Sequence, residues 1–62
     1  MNKPKVKLVG LDGNAFSILG RAVNAMRKEG WTKEKIDEFR GEAMSGSYNY
    51  LITTVMKYCD CD

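Results

Sequence analysis

Lys5-Val6-Lys7-Leu8 alternates polar and apolar residues, and Val9-Gly10-Leu11 follows. Val6 and Leu8 then share one face and Lys5 and Lys7 the other, the pattern of a half-buried strand. Pro4 is tolerated at its start, because a first strand residue need not donate a ladder hydrogen bond. From Asn14 the period becomes helical: Phe16, Leu19, Val23 and Met26 recur along one stripe, widened by Ala15, Ile18 and Ala22. Gly20 costs about 1 kcal/mol relative to Ala inside a helix, which predicts close approach by another element. Gly30 suits the left-handed position that ends a helix, with Trp31 folding back on it.

Thr32 is a good N-cap for a second helix, and Glu34 in its first turn complements the dipole. Ile36, Phe39 and Ala43 form its apolar stripe, with Met44 beside it. Ser45-Gly46-Ser47 ends that helix and offers Ser47 as the next cap. Residues 48–58 place Tyr48, Leu51, Ile52, Val55 and Met56 on one side of a third helix, although the β-branched pair Thr53-Thr54 leaves a strand as the second reading. Cys59-Asp60-Cys61-Asp62 alternates again and suits a short terminal strand beside the first. The expected fold is α+β: a β-α-α-α-β domain over residues 1–62, two short terminal strands packed on three helices, with the pairing direction open.

A strand, a glycine-containing turn and a helix also surround many phosphate-binding loops. Such a loop needs G-x-G-x-x-G or G-x-x-x-x-G-K-[ST] spacing, whereas here Gly10 and Gly13 stand without a following lysine and Asp12 would repel an anion. Asp12 and Asn14 instead read as acceptors for free amides at a helix start, and Gly13 as the residue that supplies a positive φ. The loop is expected to turn the chain and bind nothing.

With 62 residues, a single core supplies only about 3–5 kcal/mol net. Cys59 and Cys61 are too close in sequence to restrain an unfolded chain much, and there is no histidine to complete a zinc site. Self-association is the remaining common support for so small a fold, so a homodimer is expected. The net charge of +2 is unevenly spread: residues 1–35 carry eight Lys/Arg against three acids, and residues 36–62 carry two against five. Such a dipolar molecule orients toward an anionic partner or a copy of itself. No apolar run approaches spanning length and no signal-peptide core follows the lysines, so no membrane partner is expected, and free thiols favour the cytoplasm.

Little here suits catalysis: no His-based dyad, no metal cluster and no G-x-S-x-G elbow. The adjacent Asp37 and Glu38 read as a solvated helix face. No catalytic, cofactor-binding or metal-binding residue is therefore assigned, and no enzymatic activity is expected. The "CDCD" tail could form a thiolate–carboxylate metal site shared across a dimer axis, but two thiols packed inward as small apolar groups is the favoured reading. Tyr50, spaced to project outward from the third helix, is a candidate partner-binding residue together with Lys5 and Lys7.

Two functions from different classes follow. One is a dimeric repressor like the ribbon-helix-helix proteins, placing Lys5 and Lys7, with Lys3 as a further candidate, in the major groove. "AMRKEGWTKEKIDEF" resembles the helix junction of that family, yet lysines discriminate bases weakly and the third helix and terminal strand are additional. The other, preferred here, is a small interaction module that occupies a surface on another protein, with nucleic acid the less favoured partner. "GLDGNAF" and "EAMSGSYNYL" resemble a group of short uncharacterised proteins from bacteriophages and bacterial mobile elements, over most of the chain. The resemblance implies phage origin and, by analogy, inhibition of a host defence or regulatory protein. It also implies apolar strand-forming residues where Cys59 and Cys61 stand.

Overall fold

The computed structural model describes residues 3–7 and 13–61. Strand β1 (Lys5–Val6) is followed by helices α1 (Ala15–Lys28), α2 (Lys33–Ala43) and α3 (Tyr48–Tyr58), and strand β2 (Asp60–Cys61) closes the order. The expected α+β arrangement is therefore present. The two strands pair in parallel, Lys5 opposite Asp60 and Val6 opposite Cys61. Parallel neighbours cannot be joined by a tight turn, and here all three helices form the crossover. Pro4 is buried, and its carbonyl accepts from the Asp60 N–H at 2.7 Å. Its lack of an N–H costs the ladder nothing. Leu8, Val9, Gly10, Leu11 and Asp12 lie outside the described residues, so the strand expected to run past Val6 is described only through Lys7.

Each helix begins on the side chain expected to cap it. Asn14 accepts from the Phe16 N–H at 2.8 Å, Thr32 from Lys35 at 3.3 Å, and Ser47 from Tyr50 at 3.2 Å. At the end of α1, Gly30 has φ +83°. Its N–H donates to the Arg27 carbonyl and the Trp31 N–H to the Met26 carbonyl, both at 3.0 Å, the paired bonds of a Schellman closure. The second reading of residues 48–58 as a strand is excluded: they are helical. Thr53 and Thr54 are accommodated because their hydroxyls donate to the carbonyls of Asn49 and Tyr50, at 2.9 and 2.8 Å. That bond also satisfies the Thr54 hydroxyl, which is buried.

The core joins Val6, Ile18, Leu19, Ala22, Val23 and Met26 to Ile36, Phe39, Ala43, Leu51, Val55 and Cys59. Phe39 meets the edge of Tyr58 at 5.2 Å between ring centroids. Trp31 does turn back, but its ring lies against Tyr58 of α3, 6.2 Å away. Four expected core positions are corrected. Phe16 is 73% exposed, and Met44, Tyr48 and Met56 are exposed as well. The buried stripe of α1 centres on Ala22, with Ile18, Leu19 and Met26 around it. At 100° per residue this leaves Phe16 roughly a third of a turn off centre. On α3 the buried stripe is Leu51, Thr54 and Val55, which puts Met56 on the far flank and Tyr48 at the helix mouth. Gly20 is also corrected: among the described residues nothing lies within 4 Å of where its Cβ would be.

Candidate anion-binding groove

Strand β1 and the residues around it alternate as expected, with Lys3, Lys5 and Lys7 exposed and Pro4 and Val6 buried. The three lysines therefore stand along one side of the N-terminal segment. Facing them is the outer stripe of α1, where Ser17, Arg21, Asn24, Arg27 and Lys28 recur at helical spacing. These two walls enclose an open groove of about 1380 Å3, with Phe16 and Gly20 also along it. Its cations among the described residues are Lys3, Lys5, Lys7, Arg21, Arg27 and Lys28, and its carboxylate there is Glu29. Among the described residues none of these six cations is ion-paired; the ion pair present there is Lys57 with Glu42, on another face. Gly20 leaves the middle of the α1 wall without a side chain, so a ligand can approach the helix backbone there.

Lys5 and Lys7 are thus brought together with Lys3 and with three α1 cations, Arg21, Arg27 and Lys28, that the strand pattern did not single out. Tyr50 is not with them. It projects from α3 as expected, 42% exposed, over the α2–α3 turn. A Cβ on Gly46 would come within 3.1 Å of its ring. Close by, Glu42 accepts from the Tyr58 hydroxyl at 2.7 Å and from Lys57 Nζ at 3.1 Å. These bonds, that from Tyr58 foremost, hold the Glu42 carboxyl below its ordinary range. The same carboxylate pushes the Tyr58 phenol up to about 12. The cluster clamps α2 to α3 and has its hydrogen-bonding groups engaged.

The remaining positions singled out in the sequence are structural. Gly13 takes φ +61°, and the Asn14 side chain already serves the Phe16 amide; Asp12 lies outside the described residues. Gly30, Thr32 and Ser47 close or open helices. Cys59 is fully buried and Cys61 half-buried against the core, so both thiols of the tail face inward. Burial, and then the neighbouring Cys61, push the Cys59 thiol up to about 11, which keeps it protonated and unreactive near neutrality. Among the described residues no group of three or more His, Cys, Asp or Glu side chains could hold a metal ion. No helix among them is long and apolar enough to cross a membrane.

The missed cations were visible as a pattern. Ser17, Arg21, Asn24 and Lys28 form the polar complement of the buried stripe, and charge on the outer side of a helix is by itself ordinary. Its significance comes from the strand lysines folded opposite, which no local window contains. Compared with protein-family models, curated proteins and solved structures, the chain matches none of them.

Proposed function

We propose that this chain is a small non-enzymatic interaction module whose β1–α1 groove receives an acidic surface of a protein partner. The observation that carries the reading is the set of six groove cations with no ion pair among the described residues. Surface lysines are ordinarily solvated and individually unremarkable. Four of them with two arginines around one concavity, lined by one carboxylate among the described residues, make a focused positive field that concentrates an anionic partner. Phe16 beside them supplies an exposed aromatic of the kind enriched at protein interfaces. The resemblance to phage and mobile-element proteins adds a setting in which the partner is a host factor and binding inhibits it.

The repressor reading is weaker on one point of topology. A ribbon between copies consists of the two first strands alone, whereas here β2 pairs along one edge of β1, so joining β1 to its counterpart gives a four-stranded sheet in place of a ribbon. Self-association remains part of the proposal, since a two-stranded sheet offers open edges for a second copy. Sizing across a dilution series tests that component.

The main test is titration with poly-L-glutamate and with random duplex DNA at low and moderate salt. Binding of the polypeptide that weakens with salt, and is lost in a Lys5→Glu/Arg21→Glu double variant, is the expected result. Duplex binding stronger than polyglutamate binding, with a steep salt slope, favours the repressor instead. Absence of any binding at low salt removes the groove from consideration.

A further inference from the structure

We infer that the acidic segment taken by the groove carries one large apolar side chain, and that this side chain seats in the cleft where α1, α2 and α3 meet. The inference rests on the groove reading above and adds a second subsite to it. The cleft measures about 210 Å3. Leu19, Ala43 and Leu51, one from each helix, are buried in its floor, and the exposed side chains of Phe16, Met44 and Tyr48 stand around its mouth. Among the described residues no charged side chain lines it.

Three observations choose the occupant. First, the cleft and the groove are neighbours, because Phe16 lines both. A segment that runs the length of the groove to its Phe16 end therefore reaches the apolar mouth. Second, the volume falls below the roughly 300–1,000 Å3 typical of small-molecule sites, and suits a single leucine- or methionine-sized side chain. Third, an anionic ligand without apolar groups would leave Phe16, Met44 and Tyr48 wet, and a contiguous exposed apolar cluster of this kind marks an interaction surface. A polypeptide segment provides carboxylates and an apolar anchor on one chain. A phosphate backbone provides only the charge.

The experiment uses the full chain and three labelled peptides: an octamer alternating Glu and Ser, and the same octamer with a leucine added at its first or its last position. The expected result is weak, salt-sensitive binding of the plain octamer. Leucine at one of the two ends should tighten binding roughly ten- to hundredfold. That gain should persist at high salt, because burial of an apolar side chain is not screened. Met44→Ala, an exposed position whose change leaves the core intact, should shrink the gain while leaving plain-octamer affinity unchanged. Lys5→Glu/Arg21→Glu should weaken all three peptides alike. Equal binding of all three peptides overturns the anchor and leaves the groove reading standing. Failure of every peptide to bind at low salt overturns both. Tighter binding of a single-stranded oligonucleotide of equal charge, or a dimer that Met44→Ala dissolves, puts a different occupant in place and overturns the inference.

Discussion

Glu42 joins two helices through one carboxylate: Oε1 accepts from Tyr58 and Oε2 from Lys57, both on α3. The geometry has a pH signature. In the unfolded chain a thiol titrates near 9.0 and a phenol near 10.0, whereas the folded chain holds the Cys59 and Tyr58 protons up to about 11 and about 12. The unfolded form binds fewer protons across that window, so stability is complete below about pH 9 and declines as the pH rises through both pairs of values. Urea midpoints near pH 7, 9.5 and 11 should fall in that order, as roughly linear extrapolation would report them. Tyr58→Phe keeps the ring against Phe39 and Trp31 but removes the upper part of the decline; an unchanged profile would refute the assignment. On the acid side the Glu42 contribution is present above its ordinary 4.5 and is lost as the pH falls through its lowered folded value. Packing sets a harsher limit at Phe39, which is completely buried. Phe39→Ala should cost about 3–5 kcal/mol, as much as so small a core supplies in total, and circular dichroism at 25 °C should find no cooperative fold.

Helices α1, α2 and α3 are bounded by short-range bonds, and single changes there should act additively. Thr32→Ala should cost about 1 kcal/mol, a fall of roughly 4–8 °C in Tm for a domain of this size. Gly30→Ala should cost at least as much, since φ +83° strains any residue with a Cβ. A melt in which neither variant shifts Tm would contradict these caps. Their bonds also explain what could be read from the chain beforehand. Asn14, Thr32, Ser47 and Gly30 act within a few residues of themselves, so local chemistry identified them. Phe16 and Met56 could not be placed that way. Whether a flank residue of an apolar stripe is covered depends on which neighbouring helix reaches it, and here none does. The same limit concealed the groove, because the Arg21 and Lys28 side of α1 gains its meaning only from Lys3, Lys5 and Lys7 folded opposite.

At the scale of the molecule, the sheet is made by segments from near opposite ends of the chain, and it joins the core through Val6, with Cys61 packed against it. Closing it requires all three helices to be in position, a non-local step in a chain otherwise held by local contacts. Val6→Asp should therefore abolish helical as well as strand structure, since a buried unpaired carboxylate exceeds what the fold can tolerate. A variant that retained a cooperative helical melt would show the strands to be an appendage. The parallel sense of the pairing also fixes how the molecule meets mechanical load. Tension applied through the residues before β1 and after β2 pulls the strands in opposite directions along their own axes. The ladder is then sheared as a unit instead of being peeled bond by bond. Between two handles attached at those points, rupture should need a higher force than the modest chemical stability suggests.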